Sequence, residues 1–205
     1  DKIPVTGNSR FGCWICTMVK EDKSLKAFID RGETWLEPLR DYRNWMLELR
    51  TKPGAREYKR RNGAMYRKAD GTLGTGPFTM ETRKQMLRKL LQLEVDTGLS
   101  LITMDELKQI DIMWDSEGDL TRRCLVDIYR EITGKMLPWD QFKAPIFPAD
   151  VIDEIKRLCD EHQVEFELIS KLIIEIEANK NYTNNSMVTK AFDRIINQGW
   201  LHFDS

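Results

Sequence analysis

The chain has 205 residues, with 32 Lys and Arg against 33 Asp and Glu, a formal net charge of -1, 41% hydrophobic residues and four cysteines. That length suits one substantial domain or a domain with a smaller lobe, and no apolar run approaches the ~20 residues a bilayer crossing needs. Four cysteines are too few for a disulfide scaffold and the first ten residues lack the apolar core of a secretory signal, so a reducing, cytoplasmic setting is expected.

The charge is unevenly placed. Sixteen Lys and Arg stand against ten Asp and Glu up to Asp70, and sixteen against 23 beyond it. A basic front and an acidic back either meet different partners or face one another within the fold.

In chain order, Asp22 is placed to cap a short helix carrying Leu25, Phe28 and Ile29, with Gly32 ending it. A stronger helix is predicted over residues 35–50, where Pro38 is tolerated in the first turn. Trp35, Leu39, Tyr42, Trp45, Met46 and Leu49 recur there at three- and four-residue steps as one apolar stripe. Residues 51–78 then lose the helical period and carry five glycines. Asn62-Gly63 and Asp70-Gly71 signal one or two short β-hairpins, and so long an irregular insertion tends to be functional or disordered.

Helices resume at residue 79. Thr79 caps a segment running to Gly98, with Met86, Leu87, Leu90, Leu91 and Leu93 inward. Thr103 and Glu106 form a capping box ahead of Leu107, Ile110, Met113 and Trp114, each side chain satisfying the other residue's free backbone donor. Asp119 opens the next helix, through Cys124, Leu125, Ile128 and Ile132 to Gly134. The three prolines of residues 135–150 predict an extended connector over the surface, which could mark a boundary between lobes. Three further helices are predicted over residues 149–162, 165–180 and 186–198. The reading is mainly α, with a small irregular or β-hairpin insertion, divided as residues 1–78 and a helical domain at 79–205.

Cys13-Trp14-Ile15-Cys16 is a CxxC. Two thiolates at that spacing supply half of a tetrahedral sulfur site, for a metal or an iron-sulfur cluster, or a redox dithiol. No second CxxC follows. Cys124 and Cys159 lie on apolar helical stripes and read as core residues, while His162 and His202 read as surface groups. A redox pair is expected at a strand-to-helix junction, which is not apparent, so half a cluster site is the more economical reading. Arg50, Lys52, Arg56, Lys59, Arg60, Arg61, Arg67 and Lys68 stand against one acid, Glu57, with Tyr58 and Tyr66 interleaved. That composition suits phosphate contact, whether with nucleic acid or ATP, or a solvated loop without a partner. The acids Asp153, Glu154, Asp160, Glu161, Glu165, Glu167, Glu175 and Glu177 read as the exposed face of apolar helices.

The run GNSRFGCWICTMVKEDKSL, followed by WLEPLRDYRNWM, RRNG and GPFTMETRK, resembles the DndC-type DNA phosphorothioation sulfurtransferases, relatives of the phosphoadenosine phosphosulfate reductases. The resemblance implies a protein that cleaves ATP to AMP and pyrophosphate and helps replace a non-bridging phosphate oxygen of DNA with sulfur. It further implies a four-iron cluster, a cysteine desulfurase as sulfur donor, and DndD- and DndE-like partner subunits. Cys13 and Cys16 match the family's cluster ligands; Ser9, Arg10 and Phe11 match its approach without an assigned role. Arg56, Lys59, Arg60, Arg61, Arg67 and Lys68 are the expected DNA-facing cations. The family's S-G-G-x-D-S phosphate loop and its further cysteines are absent. Together with a start at Asp1, this leads to the expectation of a C-terminal portion appended to an α/β nucleotide-binding domain outside this chain. The alternative is a non-catalytic helical module docking DNA or partner subunits.

Overall fold

The structure is a computed structural model that describes residues 14–180 and 185–200. Eight α-helices run in chain order among these: α1 (Lys23–Asp30), α2 (Glu37–Leu49), α3 (Met80–Thr97), α4 (Met104–Glu117), α5 (Cys124–Thr133), α6 (Ala149–Glu161), α7 (Phe166–Asn179) and α8 (Asn185–Ile196). The mainly helical expectation holds. No helix among the described residues is long and apolar enough to cross a membrane.

The helix starts follow from the side chains that precede them. Asp22 accepts the Leu25 amide at 3.0 Å, Thr79 accepts the Thr82 amide at 3.2 Å, and Thr103 with Glu106 closes a complete capping box. Each cap satisfies a donor that the first turn leaves orphaned. Asp119 departs from expectation in an instructive way. The α5 helix begins only at Cys124, yet Asp119 reaches forward to the Cys124 amide (2.8 Å) and also holds Thr121. Pro38 sits in the first turn of α2, as predicted. Trp35 does not join the α2 stripe: it lies in a separate 3-10 turn, Thr34–Leu36, and is 55% exposed. With that break the 3.6-residue period starts at Glu37, not at Trp35.

α3, α4 and α5 pack around the main core of Leu87, Leu91, Leu107, Trp114, Leu125, Val126, Ile128, Tyr129 and Leu137. A second cluster joins α2 to α3 through Leu39, Tyr42 and Leu93, with Trp14, Ile15, Trp45 and Met46 against it. The connector at residues 135–150 wraps the surface, as expected, and is pinned to it. Leu137 enters the core, Trp139 donates to Asp111 (2.8 Å), Lys143 bridges Asp111 (2.9 Å) and Asp115 (2.6 Å), and Asp140 is clamped by Arg123 and Arg130.

Both hairpins of the insertion form, paired through single antiparallel bridges. The turn glycines are the last residues of four-residue turns, not the centres of two-residue ones. Gly63 donates to the Arg60 carbonyl (2.9 Å) and Gly71 to that of Lys68 (3.0 Å), both glycines at positive φ. Three extended runs, residues 55–60, 64–68 and 72–79, each bond to the other two. Arg60 donates to the Ala64 carbonyl, Gly74 to that of Tyr66, and Gly76 to that of Glu57. Closing three short runs on themselves leaves little edge for a foreign strand. The closure needs Gly76, since a Cβ there would stand 1.6 Å from the Lys59 carbonyl oxygen.

Candidate functional site: a clamped cysteine loop beside a basic groove

Residues 14–20 have no regular structure, so their carbonyls need partners from elsewhere. One side chain of α2 supplies most of them. Arg43 is fully buried and donates to the carbonyls of Cys16 (3.1 Å), Lys20 (3.1 Å) and Val19, and to the Asn44 side chain (2.9 Å). Arg50, the C-cap residue of α2, donates to the Thr17 carbonyl. Trp14 packs on Tyr42 at 5.9 Å between ring centroids, and Tyr42 on Trp45 at 5.7 Å. Burial pushes the Tyr42 hydroxyl well up, and it donates to the Met86 carbonyl (3.0 Å). The loop carrying Cys16 is therefore fixed to α2 along its length, with the Cys16 residue half-buried.

Cys13, Ser9, Arg10, Phe11 and His202 lie outside the described residues. Cys124 and Cys159 both line a cleft of about 1290 Å³ in which Cys16 has no part. Burial pushes both of their thiols up, and Cys124 packs against the main core. His162 is exposed at the end of α6. Among the described residues no three His, Cys, Asp or Glu side chains gather as a metal site. Among the described residues Cys16 is thus the one cysteine of this loop, which does not complete a four-sulfur shell.

The basic segment divides between three environments. Lys59 leaves the surface altogether: it is 2% exposed, 2.8 Å from Glu167 and 3.9 Å from Glu165, with its ammonium 3.4 Å from the centre of the Trp200 ring. Burial lowers its affinity for the proton, against the pull of Glu167. Burial also raises the Glu167 carboxyl, but hydrogen bonds from Lys171 and Lys59 outweigh it and hold Glu167 below its ordinary value. Glu165 and Glu167 therefore turn inward, away from the exposed acidic face on which Asp153, Glu154, Asp160 and Glu161 remain.

Arg60 and Arg61 are exposed on the first hairpin and border the large cleft, where Arg60 lies over the Tyr66 ring at 4.1 Å. Acids mix with the cations there: Glu57, Glu81, Glu117, Asp160 and Glu165 also line it. Burial, then Glu167, raises the Glu57 carboxyl. A second space, a groove of about 800 Å³, is lined by Lys20, Arg50, Lys52, Arg56 and Lys68 against a single acid, Glu48. Arg56 borders both spaces. Its Nε donates to the Gly76 carbonyl (2.7 Å) and its guanidinium lies 5.3 Å from the Phe78 ring centre. Arg67, exposed on the second hairpin, donates to the Gly71 carbonyl (2.9 Å).

Lys20 and Arg50 belong to the groove and to the cysteine loop at once. Sequence reasoning missed this because Lys20 is thirty residues from the basic run. Arg43 was also missed, although it sits four residues after Leu39 and three before Met46, in register with the apolar stripe; that register was the available signal. Comparison with known proteins adds no relative: no family model, no curated protein and no solved structure matches the chain.

Proposed function

We propose that the chain is the C-terminal part of a DndC-like sulfurtransferase that takes part in incorporating sulfur into the DNA backbone. In this reading Cys13 and Cys16 are two ligands of a four-iron cluster whose other ligands lie outside the chain. ATP is cleaved on an appended α/β domain, and DndD- and DndE-like subunits and a cysteine desulfurase are the partners. A bound cluster would supply the sulfur-handling chemistry. The chain's own residues do the rest. Arg43 and Arg50 hold the cysteine loop still, and the cations of the insertion, Arg56, Arg60, Arg61, Arg67 and Lys68, offset phosphate charge as DNA approaches.

The observation that carries this reading is that Lys20 of the cysteine loop lines the cationic groove, and that Arg50, which also lines it, donates to the loop's Thr17 carbonyl. Cations beside a cysteine loop suit sulfur chemistry at a phosphate, whose charge they offset. The test is Cys16→Ser, and separately Cys13→Ser, in the full-length protein with its partners. Phosphorothioate content of the DNA is read by mass spectrometry beside ATP cleavage and DNA binding. The expected result is loss of sulfur incorporation and of protein-bound iron, with ATP cleavage and DNA binding largely kept. Unchanged sulfur incorporation would leave the helical docking module as the better reading.

A further inference from the structure

We infer that the groove lined by Lys20, Arg50, Lys52, Arg56 and Lys68 is the surface that grips the sugar-phosphate backbone of nucleic acid, in preference to the arginine-bearing cleft. The inference rests on the reading above that the chain works at nucleic acid; it keeps Arg56 and Lys68 of that reading's cations, sets Arg60 and Arg61 aside, and brings in Lys20, Arg50 and Lys52.

Charge balance separates the two candidate surfaces. The cleft holds Arg60, Arg61, Arg83, Lys84 and Lys156, but Arg83 is paired with Glu117, and Glu57, Glu81, Asp160 and Glu165 offset much of what remains. A polyanion entering the cleft would meet carboxylates at every side. The groove places five cations against Glu48. Among the described residues no carboxylate pairs with Lys20, Lys52 or Lys68 at ion-pair distance, and all three are exposed. Such cations displace the counterions condensed on nucleic-acid phosphates, and that release is the main source of sequence-independent affinity.

The groove is also built from separate parts that converge. Lys20 comes from the cysteine loop, Arg50 from the C-cap of α2, and Lys52, Arg56 and Lys68 from the insertion. Two of these are held by the backbone: Arg50 through one terminal nitrogen on Thr17, and Arg56 through Nε on Gly76. A guanidinium has five donors, so each keeps others for an incoming phosphate. A space of about 800 Å³ exceeds one phosphate group and suits a stretch of backbone. A backbone held there meets Lys20, in the loop that carries Cys16.

The test measures binding of a fluorescent duplex oligonucleotide to the full chain by anisotropy over a series of salt concentrations. Lys20→Ala, Lys52→Ala and Lys68→Ala are each expected to weaken binding several-fold at low salt and to reduce the slope of log K against log[salt] by about one. Lys108→Ala, on the exposed face of α4, is the control and should do neither. Groove variants that bind like the parent protein, or a Lys108→Ala loss equal to theirs, would overturn the inference. So would displacement of the duplex by pyrophosphate at a phosphate concentration where unlabelled duplex competes equally, since that marks a small-anion site. The two readings fail separately. Intact binding by the groove variants with Cys16-dependent sulfur incorporation removes only the groove. Groove-dependent binding with sulfur incorporation that survives Cys16→Ser removes only the sulfurtransferase.

Discussion

Arg43 shows how much one buried side chain does in this protein. Its guanidinium satisfies three loop carbonyls that have no secondary structure to pair with. Arg43→Ala strands them in a buried space and is expected to cost about 3 kcal/mol in urea unfolding, and to speed alkylation of Cys16 as mapped by mass spectrometry. Arg43→Lys keeps the charge but not the fork, so it should recover little of the loss. A pH signature comes from Asp140, 2% exposed between Arg123 and Arg130. Burial raises its carboxyl, but the two arginines outweigh this and hold it below the ordinary 3.8. Its contribution is therefore complete above the ordinary carboxylate value and is lost as pH falls through the depressed one. Asp140→Asn should cost about 2 kcal/mol at neutral pH, below the range for fully buried pairs because Arg130 is exposed, and the gap to the parent should close in acid. Glu57 has the opposite sign. Its raised carboxyl costs stability as pH climbs past the ordinary value, so Glu57→Gln is expected to stabilise slightly at neutral pH, by less than about 1 kcal/mol given its partial exposure.

Among the elements, the insertion is the most sensitive to small changes because its three runs close on one another. Gly76→Ala would push a Cβ into the Lys59 backbone, which cannot swing away, and is expected to destabilise by about 3 kcal/mol. Gly71→Ala meets open space and only the strain of a positive φ, so about 1 kcal/mol should suffice there. Gly74→Ala is the informative one. Its Cβ would displace the Tyr66 ring, on which Arg60 rests, and so disturb Arg60 where it borders the cleft, while none of the groove's five cations touches that Cβ. Duplex binding should hardly change if the groove is the gripping surface. The helices were legible in the sequence because caps such as Asp22, Thr79 and Thr103 act over three residues, a distance a local pattern covers. The hairpins were legible for the same reason, through Asn62-Gly63 and Asp70-Gly71. What local pattern could not supply was which face each cation of the insertion would take. Lys59 looks like its neighbours Arg60 and Arg61, and only Glu167 and Trp200, more than a hundred residues away, draw it inside.

At the scale of the whole molecule, the end of the described chain closes over the insertion. Gly199 donates to the Gly63 carbonyl (2.8 Å), the Trp200 ring covers the Lys59 ammonium, and Lys171 of α7 bonds Gln198 (3.0 Å). The basic front and the acidic back thus meet at Lys59, Glu165 and Glu167, so the uneven charge is partly an internal pairing. On the front, the groove keeps five cations against one acid. Removing the cap with Trp200→Ala should cost about 3 kcal/mol and raise amide exchange across residues 59–65 without changing that of α4 and α5. The cysteine loop and the groove should keep their affinity for duplex DNA.

The central claim is spatial: the proposed groove takes the DNA backbone against Lys20, in the loop that carries Cys16. It is tested most directly by tethering an iron chelate that generates hydroxyl radicals to Cys16, with Cys13, Cys124 and Cys159 replaced by serine, and mapping cleavage of the bound duplex. The account predicts cuts confined to a short stretch of the DNA, abolished by Lys20→Ala combined with Lys52→Ala. Cleavage no different from that of untethered chelate, or cuts that persist when those two lysines are gone, would contradict it.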